Sequence, residues 1–205
     1  SEMAGRDPQS RASLAVARRT ARGLRRRRDR YLKRLQRLLA LLTEHGLMPA
    51  GDKARRALVR DHDDRKGGDL SNSVYALRAL ALDKALTPHE IGRAIFLLNQ
   101  RRGFQSNRKA DSNDPEQGKI ASAIQALDEK MMEASARTYG EWLHMRRSKG
   151  LSVRARMTAD GEGYDFYPSR GALEREFDKI MDRQRGFHPD LLNEAVIGEI
   201  RDVVF

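Results

Sequence analysis

A chain of 205 residues with 40 basic and 29 acidic side chains, a net charge of +11 and no cysteine is long enough for one or two domains with buried cores and too short for a large enzyme. The missing cysteines exclude a disulfide framework, a thiol nucleophile and a thiolate metal site, and no apolar run nears the roughly 18 residues that a membrane span needs. No signal peptide opens the chain, so a soluble, cytoplasmic protein is expected.

The charge is unevenly spread. Between residues 11 and 37 stand Arg11, Arg18, Arg19, Arg22, Arg25, Arg26, Arg27, Arg28, Arg30, Lys33, Arg34 and Arg37, against the single acid Asp29, so this window alone carries the whole excess. The remaining residues hold 28 cations and 28 anions, the mixed surface of an ordinary soluble domain.

Within that window Leu14, Ala17, Ala21, Leu24, Arg28, Tyr31, Leu35, Leu38 and Leu42 recur at steps of three and four, the seam of one long helix. Ser10 can cap its start and Gly46 its end, giving a rod of roughly 50 Å. The apolar stripe is thin in the first half, with two alanines, and rich in leucine in the second. The second half is therefore expected to dock and the first to stand in solvent. Gly23, in the basic half, costs about 1 kcal/mol relative to alanine; it reads either as a tolerated cost or as a hinge or point of close backbone approach.

Residues 47–70 show no sustained period and run into the pair Gly67-Gly68, which predicts a variable, partly ordered connection. From Ser71 the helical pattern returns: Val74, Leu77, Leu80 and Ala81 mark a helix to about Ala85. Thr87 and Glu90 then form a capping box with Pro88 at the first helical position, and Ile91, Ile95 and Leu98 face a core until Gly103. These two helices read as an antiparallel pair. A further helix is predicted over 115–133, with Asp114 and Gln117 at its cap and Ile120, Ile124, Leu127 and Met131 on its buried face. A shorter one follows Thr138, whose box partner is Glu141. Alternation across Val153, Ala155 and Met157, then Asp160-Gly161, then Tyr164 and Phe166 predicts a small hairpin. Two helices close the chain, from about Ser169 to Arg185 and from Pro189 to Val204. The fold class is mainly α: a long arginine-rich helix followed by a multi-helix domain with one small β-hairpin.

Catalytic signatures fail on inspection. "HEIGR" (89–93) resembles the start of a zinc-peptidase helix, but Arg93 stands where the second histidine must be. Asp61, Asp63 and Asp64 lack the glycine turn and distal glutamate of a calcium loop, glycine-rich phosphate loops are missing, the five histidines are scattered, and Trp142 reads as core. Binding chemistry is what stands out. Arg19, Arg22, Arg26, Arg30, Lys33 and Arg37 step by three and four along one face, and Arg11, Arg18 and Arg25 line an adjacent one. Arginine forks bond phosphate oxygens in pairs and stay ionised, so a helix presenting them along its length suits a nucleic-acid backbone. A second basic group, "NQRRGFQSNRK", places Arg101, Arg102, Arg108 and Lys109 around Phe104. Phe104 either stacks on a base or ribose or plugs the core while the cations complement a helix C-terminus; the charge count favours binding.

At these residues the chain resembles the type II CRISPR-associated RNA-guided DNA endonucleases, and among them subtype II-C. "GRDPQSRASLAVARRTARGLRRRRDRYLKRL" looks like the end of the first RuvC segment entering that family's arginine-rich bridge helix. "YALRALALDKALTPHEIGRAIFLLNQRRGFQSNRK" and "SARTYGEWL", "GLSVRARM" and "YPSRGALEREFDKI" look like its recognition lobe, in the same order. The resemblance implies a fragment: residues 1–10 the end of the RuvC segment or a leader, 11–46 the bridge helix, 47–70 a variable connection and 71–205 a helical recognition-lobe domain. It implies no cleavage by this piece and no cofactor in it, the parent using Mg2+ or Mn2+ at nuclease sites elsewhere in its chain. It further implies partners in guide RNA, the RNA–DNA heteroduplex and the rest of the endonuclease, with no membrane. The contacts it implies run through Arg18, Arg19, Arg22, Arg25, Arg26, Arg27, Arg30, Lys33 and Arg34 to the guide seed. Arg101, Arg102, Phe104, Arg108 and Lys109 would meet the repeat:anti-repeat duplex or guide backbone. Two alternatives fit the same charges: a stand-alone basic RNA-binding protein, or a dock for an acidic anti-CRISPR inhibitor protein.

Overall fold

The computed structural model describes residues 14–63, 69–100, 103 and 115–205, and eight α-helices lie among them. The first, α1 (Leu14–Glu44), runs unbroken for 31 residues, about 46 Å at 1.5 Å per residue. Its end is written in the chain. Gly46 takes a φ of +69°, its N–H bonds the Thr43 carbonyl at 3.1 Å, and Leu47 N–H reaches the Leu42 carbonyl at 2.7 Å. This is the paired C-terminal cap in which a left-handed glycine turns the chain, and the accompanying apolar contact is supplied by Leu42 and Leu47, both fully buried.

α2 (Asp52–Asp61) lies in the variable connection that the sequence predicts to be partly ordered. Its short apolar run, Ala57 to Val59, is only half buried, too brief a stripe to read as periodic, and it packs on the fourth helix. Arg55 ties its first turn back to the exit of α1, donating from Nε to the Pro49 carbonyl at 2.7 Å and from an Nη to the Ala50 carbonyl at 2.9 Å. Past α2, the buried His62 holds the returning chain: its Nδ1 lies 2.7 Å from the Asn72 carbonyl, and its own carbonyl accepts from Val74 N–H at 3.1 Å.

After a single 3-10 turn (Leu70–Asn72), α3 (Val74–Leu80) starts at the cap Ser73. It stops five residues short of the predicted end. Gln184, fully buried on the seventh helix, explains why. Its side-chain amide donates to the Ala81 and Lys84 carbonyls at 2.7 Å each and accepts from Leu86 N–H at 3.0 Å, so those backbone groups are satisfied by a distant side chain rather than by another helical turn.

α4 (Pro88–Gln100) is the central element. The expected capping box is present, with Thr87 N–H on the Glu90 carboxylate at 2.8 Å, and residues Ile91 to Asn99 are all buried. Helices α1, α2 and α3 pack on it, as do the last two helices of the chain. At Gly92 the helix passes so close to the Leu47 carbonyl that a Cβ would overlap that oxygen, so the docking of the α1 exit onto α4 depends on a missing side chain.

The remaining helices are α5 (Pro115–Glu133), α6 (Tyr139–Ser148), α7 (Arg170–Phe187) and α8 (Glu194–Val204). On α5, Ile120, Ala123 and Leu127 are buried, with Ile124 and Met131 half-buried beside them; the predicted caps Asp114 and Gln117 fall outside the residues whose side chains are described. α6 is capped by Thr138 as expected, but the Glu141 carboxylate reaches Arg137 N–H at 2.6 Å, one residue upstream of the reciprocal bond of a capping box. α8 begins later than predicted because Asn193 caps Val196 N–H at 3.0 Å and the residues before it close turns onto the His188 carbonyl. Between α6 and α7 the predicted hairpin is reduced to one antiparallel bridge, Met157 with Tyr164. Phe166, fully buried, anchors this segment by packing edge-on against Trp142 at 4.9 Å between ring centres, under the Arg146 guanidinium.

A buried ion pair ties three helices together. Arg78 on α3 forks onto Glu176 on α7, Nε to Oε1 at 2.6 Å and an Nη to Oε2 at 2.7 Å, and Gly140 N–H at the start of α6 donates to Oε2 at 2.9 Å. A Cβ at Gly140 would collide with both partners. Burial pushes the Arg78 pKa down, and the Glu176 charge and hydrogen bond outweigh it, so the guanidinium ends above its ordinary value.

Candidate nucleic-acid interface

α1 is docked by one end only. Leu38 and Leu42 are fully buried, with Leu35, Leu39 and Leu41 packed against the core, and the contacts run to α4 and α8. One turn up the rod Tyr31 is half-buried. Beyond it the same stripe offers Arg28 and then Leu24, which is 56% exposed. The leucine-rich half therefore pins the helix, and the alanine-thin half stands in solvent, as the composition of the stripe predicts.

Arg19, Arg22, Arg26, Arg30 and Lys33 are exposed. At 3.6 residues per turn they fall within an arc of roughly 80°, centred roughly 140° around the helix from the docked leucines. Arg18 and Arg25 flank this row on one side and Arg27 on the other, also exposed. Among the described residues none of these eight cations is paired with a carboxylate. The row thus stays free along roughly four turns, a linear array of forks matched to a polyanion. The helix passes through Gly23 without a break, and a Cβ there would meet open space, so neither packing nor backbone conformation within the described chain requires a glycine.

Arg34 differs from the rest of the predicted set. It sits where the rod meets the lobe, half-buried, with Nε donating to Asn99 Oδ1 on α4 at 2.8 Å and its guanidinium 5.8 Å from the Tyr31 ring centre. Burial lowers its pKa, Tyr31 opposes that, and the nearby charge of Arg170 adds to the lowering.

Arg170 opens α7, and directly against it lies the backbone of Gly103, φ +73°, where a Cβ would meet the Ser169 carbonyl and Arg170 N. Only glycine fits there, for conformation and space together. Gly103 also borders a cavity of about 560 Å³ between α3, α4, α6 and the segment before α7, walled by Tyr75, Tyr139, Tyr164, Tyr167 and Arg154. A second cavity of about 610 Å³ shares Tyr75, Leu97 and Arg154 with it and adds Arg93, Arg147 and Arg156. The two adjoin along a shared wall, so tyrosine rings and guanidinium groups line one groove, in which Tyr75, Tyr139 and Arg93 are themselves buried.

Of the predicted binding residues, Arg101, Arg102, Phe104, Arg108 and Lys109 lie outside the described residues. Asp61 and Asp63 do not converge with a third ligand, no cluster of three or more metal-ligating side chains being present among the described residues; Asp64 lies outside them. Among the described residues no helix is long and apolar enough to cross a membrane. Sequence reasoning missed Asn99, Arg170 and the tyrosine groove. The tyrosines are spread over 75–167 and only the packing of α3, α6 and the bridged segment gathers them. Asn99 does leave a trace: a polar residue one position past Leu98 on an apolar helix.

A helical lobe carrying a protruding polycationic rod is the class that fold and surface define. No family model matches the chain. Cas9 of Campylobacter jejuni is 28% identical over 187 residues, covering 88% of this chain and 18% of the relative. The crystal structure of that Cas9 with sgRNA and target DNA superposes with a TM-score of 0.71 at 27% identity, over 94% of this chain and 25% of that one. Streptococcus thermophilus Cas9 shares the fold at a TM-score of 0.61 and 19% identity, over 96% of this chain and 15% of that one. The chain is homologous to a segment of the type II CRISPR endonuclease Cas9, and it spans about a fifth of the curated relative's length.

Proposed function

We propose that this segment is the part of a Cas9 that holds guide RNA through its backbone, with Arg18, Arg19, Arg22, Arg25, Arg26, Arg27, Arg30 and Lys33 on phosphates of the seed. Arg101, Arg102, Phe104, Arg108 and Lys109 serve the repeat:anti-repeat duplex or guide backbone, and the lobe supports the RNA–DNA heteroduplex. The whole protein is then a metal-dependent DNA endonuclease whose Mg2+ or Mn2+ sites lie on other segments. The observation that carries this reading is the exposed, carboxylate-free row on a helix docked only at its far end. Like charges so arrayed repel one another, and a nucleic-acid strand relieves that repulsion while releasing its counterions. The solved relative with sgRNA and target DNA supports the choice of ligand.

The test is the salt dependence of guide-RNA affinity, read by fluorescence anisotropy. One phosphate for each of these eight cations predicts a log–log slope of about −6 to −7, and the slope should be the same for guides of unrelated spacer sequence, since backbone contacts do not read bases. A slope near zero would overturn the reading.

A further inference from the structure

We infer that Asn99 is a positioning residue for α1: through its bond to Arg34 it fixes the direction in which the polycationic rod leaves the lobe. The inference rests on the guide-RNA reading for its consequence, and it gives Asn99 and Arg34 an aiming role in place of a phosphate contact.

A rod held at one point can tilt, whereas a rod held at two points has a set direction. The lower point of α1 is its exit, where the Leu47 carbonyl lies against Gly92 of α4 and His45 Nε2 stands 3.4 Å from a Glu199 carboxylate oxygen on α8. Leu38 and Leu42, fully buried, extend that attachment upward, but apolar contact is non-directional and sets the angle loosely. The upper point is Arg34, whose Nε donates to Asn99 Oδ1 at 2.8 Å. His45 follows Arg34 by 11 residues, roughly 16 Å of helix, so the two polar contacts bracket the leucine patch.

Asn99 is built for aim at the expense of stability. It is fully buried on α4 together with Ile91, Ile95 and Leu98. Because the Arg34 guanidinium only donates, Oδ1 faces it, and Nδ2 is left buried without a hydrogen-bond partner. An unpaired buried donor costs stability, a cost that leucine at this position would avoid. One buried asparagine in an apolar helix seam acts in this way in coiled coils: it lowers stability and selects a single alignment among those that apolar packing allows. On the α1 side the guanidinium also lies 5.8 Å from the Tyr31 ring centre, so it meets a ring of its own helix as well as the amide of α4.

The exposed row from Arg19 to Lys33 stands on the free side of this pin. Arg19 is 15 residues above Arg34, roughly 22 Å along the rod, so a tilt about the leucine patch displaces it far more than the docked turns. A rod already aimed spares the RNA the cost of aligning it.

The chain has no cysteine, so nitroxide labels on Ala21→Cys of the rod and Asp182→Cys of α7, both exposed positions, report the rod's direction by double electron–electron resonance. The otherwise wild-type chain should give one narrow distance distribution. Asn99→Leu, similar in shape and unable to accept, should broaden it, and Asn99→Asp, which keeps the acceptor, should give the narrow one again. Arg34→Met changes a side chain that is only half-buried, leaves the core intact, and should broaden the distribution as Asn99→Leu does. Guide-RNA affinity should fall about fivefold in Asn99→Leu, as when about a fifth of the molecules hold the competent direction. The log–log salt slope should stay at the wild-type value, because no phosphate contact is lost. Unchanged distances in both Asn99→Leu and Arg34→Met refute the pin and leave the guide-RNA reading standing. A slope reduced by about 0.7 to 0.9 in Asn99→Leu also refutes it, since that is one phosphate's share. If wild type fails to bind guide RNA while the two variants broaden the distances, the pin stands and the guide-RNA reading falls.

Discussion

Replacing Arg19, Arg22 and Arg26 together with alanine is expected to weaken guide-RNA binding about 100-fold near physiological salt, with the log–log slope reduced by about 2 to 3. The three lie on one face of α1, exposed, so each is assigned one phosphate. Each substitution forfeits its counterion release and a charge-assisted bond. Folding should be untouched: the side chains meet nothing in the lobe, and surface changes of this kind stay within about 0.5 kcal/mol. Anisotropy titrations at several salt concentrations, beside a thermal melt, separate the two effects. Loss of affinity for one spacer sequence only would mean base reading and contradict the backbone assignment.

The largest effect on stability is expected at Glu176. Glutamate to alanine there strands the Arg78 guanidinium, 3% exposed, and takes the acceptor from Gly140 N–H. Breaking a buried pair from one side costs about 3 to 5 kcal/mol, a large part of the roughly 5 to 15 kcal/mol that holds a domain folded. The urea midpoint should drop steeply or the chain should fail to fold. Arg78→Leu combined with Glu176→Leu removes both charges and should be less damaging than Glu176→Ala, because desolvation then no longer opposes burial. A double variant whose loss equals the sum of the two single ones would show that the pair is uncoupled. Three helices meet at this pair, α3, α6 and α7, so its loss should also loosen the tyrosine groove that α3 and α6 help to wall.

What could be read from the chain was whatever local rules write. The α1 seam, the Gly46 stop and the Thr87–Glu90 box depend on residues within a turn or two of each other, and all stand in the structure. The contrast between a leucine-rich and an alanine-thin stripe carried one step further, to which half of the rod would dock. The errors share a cause. α3 ends early because Gln184, about a hundred residues along the chain, takes the carbonyls of Ala81 and Lys84 just past it; α2 forms on a stripe too short to show a period. The Arg78–Glu176 pair and the Arg34–Asn99 bond are long-range convergences, and periodicity along one helix holds no information about which side chain of another helix it will meet. The sequence-level reading of Arg34 as one more phosphate contact missed its partner for that reason.

The central claim is that the solvent-standing half of α1 is where the RNA lies. Amide hydrogen exchange, compared with and without guide RNA, tests it most directly, since a helical half held by no tertiary contact opens readily. Exchange across Ala17 to Arg30 should slow markedly on RNA addition. Unchanged exchange there, with protection confined to α5 or to the outer face of α2, would contradict the account.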